Sequence, residues 1–318
     1  MKAPLSIVFT VLSLLSNTCW SAATAGQGEI EPRTVEATES RAFSPDRVDA
    51  TDERIAQLKL PEGFRINVFA RDLGHARMLC VAEDGTVYLT RPRQNRVTRL
   101  RDVDGDGRAD EVETAIGGLE DVHGIALHGD TMYLAAPRIV WTCKVAADGS
   151  LSKPNDIITD LPGGGGHDDR TLAVRDDRLF ITVGSTCNAC KEAYAENATI
   201  LTAALDGSTR TIFATGLRNT IGFGWHPQTG QMWGMDHGSD NRGNDLPPEE
   251  LNRLEEGKDY GWPYAFGKRV IDPLMDPPPG MTKAEYARRS MPSVLEYQAH
   301  SSPIGMTFYS GQMFPERY

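Results

Sequence analysis

The sequence predicts an all-β fold, a six-bladed β-propeller of which this chain supplies the earlier blades. First, a unit of two strands joined by a polar turn recurs along the chain. Second, the first three units are spaced about 45 to 52 residues apart, the length of a four-stranded blade. Third, aspartate, glycine and proline are abundant while long amphipathic helical patterns are scarce, which is typical of loop-rich β proteins.

Each unit consists of an apolar strand, a turn and a second strand with aromatic or β-branched residues. The four units cover residues 78–90, 125–135, 172–183 and 221–235. Residues 304–309 resemble the first strand of a fifth unit, and Phe64–Ala70 alternates like an outer strand that would pair with a final blade. Because a propeller closes on itself to hide its edge strands, we expect the last one or two blades to be missing after Tyr318.

The N-terminal residues predict a secretory signal peptide over residues 1–25. Lys2 provides the positive region, residues 5–15 form an apolar core too short to cross a bilayer, and Ala23-Thr24-Ala25 fits a cleavage site. A lipoprotein anchor at Cys19 is the alternative. We therefore expect an exported protein, either periplasmic or extracellular.

Two regions follow the signal peptide. Residues 26–60 form a polar tail in which residues 51–59 suit one or two helical turns, and residues 61–318 form the propeller domain. The fourth blade carries a proline-rich insertion, residues 267–296, and no further stretch is apolar enough to span a membrane. The formal net charge of −11 argues against nucleic acid as the main partner.

Four cysteines remain after signal removal, and an exported protein sits where disulfides persist. Cys187 and Cys190 form a C-x-x-C motif, for which a local disulfide is the preferred interpretation. Lys191 follows the motif instead of histidine, which excludes a c-type haem attachment, and a second C-x-x-C motif is absent, which disfavours structural zinc. The spacing leaves open whether Cys80 and Cys143 pair.

Polar residues stand where successive inner strands begin: His123, His167 after four glycines, and the pair Arg218 and Asn219. Because the inner strands of a propeller begin around one mouth of the central channel, we expect a polar ring there. Histidine suits proton transfer, since its unperturbed pKa lies near neutrality. The alternatives are strand-end histidines bonded to neighbouring loops, and an arginine in a surface ion pair.

A second pattern resembles a calcium-binding loop. Acidic residues occupy positions 1, 3, 5, 9 and 12 of this loop, with glycine at position 6: Asp102, Asp104, Asp106, Asp110 and Glu113. No helices flank it, so it is not an EF-hand. A structural calcium site and a solvated acidic hairpin remain alternatives.

Six segments together resemble the glucose/sorbosone dehydrogenase family, over residues 61–318. They are Pro61-Glu62-Gly63-Phe64, the segment before His167, Val183–Cys190, Gly216–Asn219, Glu250-Leu251-Asn252 and Asp259–Tyr264. The resemblance implies a soluble six-bladed quinoprotein propeller that binds pyrroloquinoline quinone (PQQ) and calcium. The Cys-Asn-x-Cys element is closer to the sorbosone-dehydrogenase-like branch.

The resemblance also implies roles for individual residues. His167 matches the catalytic base, and Arg218 and Asn219 match the pair that contacts the quinone, where Arg218 would also stabilise the developing oxyanion. His123 occupies the position of a glutamine that touches substrate or cofactor.

The predicted calcium ligands of the active site are backbone carbonyls. Gly238 and Ser239 match the positions that hold the calcium ion bound with the quinone.

The sequence departs from the glucose-oxidising branch at Ser185, where that branch has an aspartate that orients the histidine. Asp168 or Asp169 are the alternatives for that role. The cationic groups that clamp the quinone carboxylates in the family lie in the last blades, after Tyr318.

These observations predict a PQQ- and calcium-dependent dehydrogenase that oxidises a sugar or aldose and passes electrons to a quinone or cytochrome. One alternative is a calcium-dependent propeller hydrolase of the sugar-lactonase kind, with His123, Asn219 and Asp236 among its metal ligands. The other is a propeller that binds a carbohydrate or protein partner without catalysis.

Overall fold

The computed structural model describes residues 30–39, 45–315 and 317, so the predicted signal peptide lies outside the described residues. In the tail, the described part contains strand β1 (Arg33–Thr34) and helix α1 (Asp52–Ala56). The helix agrees with the predicted turns, whereas no strand was predicted in the tail. None of the described helices is long and apolar enough to cross a membrane.

The first two blades are four-stranded antiparallel sheets in which consecutive strands are neighbours. Blade 1 consists of β2 (Leu79–Val81), β3 (Val87–Arg91), β4 (Arg96–Arg101) and β5 (Glu111–Gly117), with a 3₁₀ turn at Pro92–Gln94. Blade 2 consists of β6 (Gly124–His128), β7 (Thr131–Ala136), β8 (Ile139–Lys144) and β9 (Asn155–Ile158).

Blade 3 and the first part of blade 4 follow the same plan. Blade 3 consists of β10 (Leu172–Arg175), β11 (Arg178–Val183), β12 (Thr199–Ala204) and β13 (Thr211–Thr215). Blade 4 begins with β14 (Thr220–Trp225), β15 (Met232–Asp236) and β16 (Glu249–Leu254).

The insertion lies between the third and fourth strands of blade 4, over residues 255–294, and so begins earlier than the predicted residue 267. It contains β17 (Lys258–Asp259), β18 (Ala265–Phe266), β19 (Val270–Ile271) and helix α2 (Lys283–Arg289), and the chain then returns to blade 4 as β20 (Leu295–Tyr297). Strand β17 pairs in parallel with β13, and β1 pairs in parallel with β19. The short helix was not predicted, although Thr282 and Glu285 form a complete capping box at its start.

The first hairpin of each blade forms where the sequence places a polar turn. In blade 1, the Asp84 carboxylate accepts the Thr86 N–H at 2.9 Å, and Gly85 has a φ of 87°, which glycine adopts without steric cost. The second strands are buried along nearly their whole length, as in β7, since neighbouring blades cover both faces. A strand buried on both faces loses the polar alternation of a half-exposed strand.

The main apolar cores lie between adjacent blades, so the sheets stack face to face. Between blades 1 and 2 the core includes Tyr88, Val97, Met132, Leu134 and Trp141. Between blades 2 and 3 it includes Tyr133, Val140, Leu179, Ile181 and Leu201. Between blades 3 and 4 it includes Phe180, Ile200, Phe213, Phe223 and Leu254.

The inner strands approach one another closely at the channel. Gly124 opens β6, and a Cβ atom there would lie 2.6 Å from the Arg170 carbonyl oxygen, just before β10. Only glycine allows the two backbones to come so close. This convergence places the residues before each inner strand around one mouth of the propeller.

The all-β propeller architecture is confirmed, and the described residues build four blades. Two predicted strands are wrong: Phe64–Ala70 and residues 304–309 have no strand structure. No described strand pairs with either segment, and a strand exists only through its hydrogen-bonded neighbour. Both segments instead cover blade faces. Phe69 packs against the blade 1 cluster, and the Met306 backbone lies against Gly222.

The local disulfide between Cys187 and Cys190 is present. Cys80 and Cys143 are both free thiols, which answers the question that their spacing left open. The Cys80 Sγ atom lies 3.8 Å from the Met132 Sδ atom within the core between blades 1 and 2, and burial raises the pKa of the Cys80 thiol to about 12.

Candidate functional site

His167 is held by the strand end that follows β11. Its Nδ1 atom lies 3.0 Å from the Ser185 carbonyl oxygen and 2.8 Å from the Ser185 hydroxyl. A carbonyl can only accept, and the Ser185 hydroxyl already donates to the Cys187 carbonyl at 2.8 Å. The hydrogen-bond network therefore assigns the proton to Nδ1, which leaves the lone pair on Nε2. Among the described residues, Nε2 has no hydrogen-bond partner.

The surroundings of His167 favour its neutral form. Burial lowers its pKa below the ordinary value, and the positive charge of Arg218 lowers it further. The Ser185 carbonyl raises the pKa of His167, because it accepts a hydrogen bond from the ring. A neutral imidazole with a free Nε2 lone pair can take up a proton near neutral pH.

Arg218 is buried and held along most of its side chain. Its Nε donates to the Asn188 carbonyl at 2.9 Å, and its Nη2 donates to the Asn188 side-chain oxygen at 3.1 Å. The Asp240 carboxylate lies 3.5 Å from the same Nη2. The remaining nitrogen, Nη1, donates to no described residue, so one edge of the guanidinium is available to a ligand.

Asp236 holds the backbone of Arg218 and Asn219 through hydrogen bonds. Its carboxylate accepts the N–H groups of Arg218 and Asn219, each at 2.9 Å, and the Thr220 hydroxyl at 2.7 Å. Burial raises the pKa of Asp236. Both of its oxygens already accept hydrogen bonds inside the protein, so the structure shows Asp236 as a support for the backbone of Arg218 and Asn219. The arrangement therefore gives no support to the hydrolase alternative.

Asn219 contacts a histidine that sequence reasoning did not select. The His237 Nε2 atom lies 2.8 Å from the Pro303 carbonyl oxygen, so Nε2 carries the proton and Nδ1 can accept from the Asn219 amide at 3.3 Å. His237 lies near enough to His167 that protonation of His237 would lower the pKa of His167, so His237 belongs to the same site.

Gly184 allows the two halves of the site to meet. A Cβ atom at this position would lie 2.6 Å from the His167 Cβ and 2.8 Å from the Asn219 Oδ1. The structure thus brings His167, Arg218 and Asn219 together, as predicted. It assigns the orientation of His167 to Ser185 instead of Asp168 or Asp169.

His123 occupies a different environment from the predicted one. Its side chain is 1% exposed, its Nδ1 lies 2.9 Å from the Arg170 carbonyl, and its Nε2 lies 3.4 Å from the Asp169 carboxylate. Asp169 also pairs with Arg77 at 2.9 Å. Burial lowers the pKa of His123. At this position of the mouth, the partly exposed side chains are therefore Asp169 and Arg77.

The predicted calcium-binding backbone lies next to Arg218. The Gly238 N–H donates to Glu249 at 3.0 Å, and the Ser239 hydroxyl accepts from the Trp262 indole at 3.1 Å. The carbonyl oxygens of Gly238 and Ser239 accept no hydrogen bond from the described residues. Unpaired carbonyls of this kind are ligands that calcium prefers.

Only part of the predicted acidic loop comes together. Three carboxylates lie within 4.8 Å of one another: Asp102, Asp104 and Asp106. Asp110 accepts the Val103 N–H at 2.7 Å, and Glu113 is on β5, paired with Arg99. The structural calcium site stays a prediction, with Glu113 directed away from the cluster.

Three residues that support the site were not predicted from the sequence: Asn188, His237 and Arg77. Asn188 lies inside the C-x-x-C motif that the sequence had already singled out, so the motif could have indicated it as a site residue. Arg77 precedes the inner strand β2 just as His123 precedes β6, so the repeat itself could have located it.

The fold is thus a β-propeller, and one of its mouths carries a base-competent histidine beside a buried arginine. The chain belongs to the glucose/sorbosone dehydrogenase family, whose model matches residues 72–317.

Individual proteins are similar to this chain in sequence or in fold. An uncharacterized protein of Borreliella burgdorferi is 27% identical over 286 residues, which is 85% of this chain and 72% of that protein. The PQQ domain of pyranose dehydrogenase from Coprinopsis cinerea, in its holo form, matches with a TM-score of 0.66 and 18% identity over 76% of this chain and 69% of that chain. The PQQ-bound aldose sugar dehydrogenase from Streptomyces coelicolor matches with a TM-score of 0.58 and 18% identity, over 76% and 73% of the two chains.

Proposed function

We propose that the protein oxidises an aldose or related sugar with PQQ as cofactor and calcium as the cofactor's metal ion. The observation that carries the proposal is the free Nε2 lone pair of a neutral His167 beside a guanidinium with a free edge. The family and the PQQ-bound neighbours support the same activity.

The residues of the site fit both groups. PQQ is an anionic quinone, and Arg218 offers it the free Nη1 while Asn219 offers an amide. The unpaired carbonyls of Gly238 and Ser239 would hold the calcium ion. When bound, PQQ supplies the acceptor for the hydride that leaves the sugar carbon.

The protein's own residues supply the acid–base and electrostatic parts of the reaction. His167 takes the proton of the sugar hydroxyl on Nε2 while its Nδ1–H continues to donate to the Ser185 carbonyl, which stabilises the imidazolium that forms. Arg218 would stabilise negative charge on an anionic ligand bound at its free Nη1 edge. Its burial strengthens this effect, because little water competes for the charge.

We also propose that the protein works after export, in the periplasm or outside the cell. The Cys187–Cys190 disulfide supports this location, since disulfides persist mainly in oxidising compartments. A quinone or cytochrome of that compartment would then receive the electrons.

Reconstitution with PQQ and Ca²⁺ tests the proposal. We expect the protein to bind PQQ, to reduce an artificial dye with aldoses, and to lose PQQ affinity when a chelator removes calcium. A protein that hydrolyses sugar lactones with calcium alone, and shows no PQQ-dependent dye reduction, would instead be a hydrolase. Failure of both reactions in a protein that binds a sugar would support the non-catalytic alternative.

A further inference from the structure

The short loop closed by the Cys187–Cys190 disulfide joins three parts of the site. Its Asn188 makes five hydrogen bonds to three residues: Arg218, Asp240 and Trp262. The carbonyl accepts from Arg218 Nε at 2.9 Å and from the Trp262 indole at 3.3 Å. The side chain accepts from Arg218 Nη2 at 3.1 Å and exchanges two bonds with the Asp240 backbone, at 2.7 and 3.0 Å.

The same segment also holds the candidate base. Ser185 contacts the His167 ring and donates its hydroxyl proton to the Cys187 carbonyl, at the start of the loop. The Ser185 N–H donates to the Arg218 carbonyl at 2.7 Å. A continuous set of hydrogen bonds therefore runs from His167 through residues 185–188 to the guanidinium of Arg218.

The loop is itself restrained at both ends. The disulfide closes it, and Glu192 accepts both the Thr186 N–H and the Thr186 hydroxyl at 2.7 Å. The Thr186 carbonyl accepts the Gly166 N–H at 3.0 Å, which connects the loop to the glycines before His167. A restrained loop can fix the side chains that it contacts.

We propose that Asn188 is the positioning residue for Arg218, and that the disulfide keeps Asn188 in place. A free arginine side chain has many rotamers, and ordering it on ligand binding costs conformational entropy. Asn188 orders Nε and Nη2 in advance and leaves Nη1 for the anionic ligand. The inference deepens the proposed function, on which it rests for the identity of that ligand.

The first test replaces the side chain of Asn188. The Asn188→Ala variant removes the side-chain oxygen that accepts from Arg218 Nη2 and keeps the backbone carbonyl that accepts from Nε. The Arg218 Nη2 protons should therefore exchange with solvent about tenfold faster than in the wild type, as measured by NMR of arginine side chains. The PQQ affinity of the variant should fall about tenfold, the size expected for one lost charge-assisted bond. The exposed Asn155→Ala variant, on β9, is the matched control and should change neither value.

A second pair of variants separates positioning from general destabilisation. Asn188→Asp keeps an oxygen for Arg218 Nη2 and should recover most of the lost protection and affinity. A Cys187→Ser/Cys190→Ser double variant keeps Asn188 and should lose protection in the same direction. Because it leaves Asn188 intact, it also tests the proposal if Asn188→Ala does not fold.

The outcomes are distinguishable from those of the proposed function, because hydrogen exchange at Arg218 needs no cofactor. Unchanged exchange in folded Asn188→Ala and in the double variant would overturn the positioning role. Faster exchange in both variants, with a wild type that neither binds PQQ nor oxidises aldoses, would support the positioning role and overturn the proposed function.

Discussion

At the scale of single residues, the protonation of His167 decides what the site can do. Its pKa is lowered by burial and by Arg218, so the ring loses its second proton at a pH below the ordinary histidine value. As the pH rises through this lowered pKa, Nε2 becomes a free base. We therefore expect activity to rise with pH on the acid side of the profile and then to level off as His167 becomes fully neutral.

A change at Asp240 tests whether nearby charges set the pKa of His167. The Asp240 carboxylate raises the pKa of His167, so Asp240→Asn should lower that pKa further, while the backbone bonds of Asp240 to Asn188 remain. The titration of the His167 ring, followed by NMR in the protein without cofactor, measures the change. A pKa that moves upward in the variant would contradict the assigned charges.

At the scale of elements, the close meeting of strand ends makes the site possible. The segment after β11 carries Gly184 and Ser185, and the segment before β14 carries Arg218 and Asn219. The repeat predicted that these ends converge, and the structure places the strand ends that carry His167 and Arg218 next to each other. It did not predict Ser185 as the partner of His167, because that contact depends on how a loop bends after its strand ends.

Gly184→Ala tests the close approach. The added methyl group would overlap His167 and Asn219, so we expect a loss of about 1–3 kcal/mol in the free energy of unfolding and a displaced His167. Urea unfolding measures the first effect and the ring titration of His167 the second.

Gly224→Ala is the matched control, because a Cβ there meets nothing within 4 Å. Its free energy of unfolding should change by less than about 1 kcal/mol. Equal stability of the two variants, with an unchanged His167 titration, would show that the close approach does not constrain the site.

At the scale of the whole molecule, segments far apart in sequence hold the loop with the proposed calcium ligands. The Arg242 carbonyl accepts the N–H of Thr38 in the tail at 3.1 Å, and the Arg242 guanidinium pairs with Asp272 of the insertion. Glu249 accepts both the Gly238 and Ser302 N–H groups at 3.0 Å. These contacts join the tail, the insertion and residues 300–303 to blade 4.

Such contacts explain why the sequence predicted blades better than it predicted the surroundings of the site. Apolar runs and Asp-Gly turns recur locally, so blades 1 to 4 could be read from the repeat. The pairing of β1 with β19 joins residues more than 230 positions apart in sequence, and neither strand has a periodic pattern of its own. The strand predicted at Phe64–Ala70 is the opposite case. This segment has the alternating pattern of a strand, but no described strand pairs with it.

The buried ion pair provides the prediction at this scale. Arg242 and Asp272 are only 4% and 3% exposed, so Asp272→Ala leaves an uncompensated buried charge and should cost about 3–5 kcal/mol of unfolding free energy. The Lys144–Asp130 pair is 65% and 70% exposed, so Asp130→Ala is the control and should cost at most about 1 kcal/mol. Urea unfolding of both variants gives the comparison, and equal costs would contradict the structural role of the buried pair.

The most direct test of the central claim is a single-turnover measurement on the PQQ- and calcium-loaded protein mixed with an aldose. His167→Ala should slow reduction of the cofactor by about 100-fold or more and leave its affinity for PQQ within about threefold of the wild type. The exposed His128→Ala variant, at the far end of β6, should behave as the wild type. Turnover of His167→Ala within tenfold of the wild type, or an equal loss of rate and affinity, would contradict the assignment of His167 as the base.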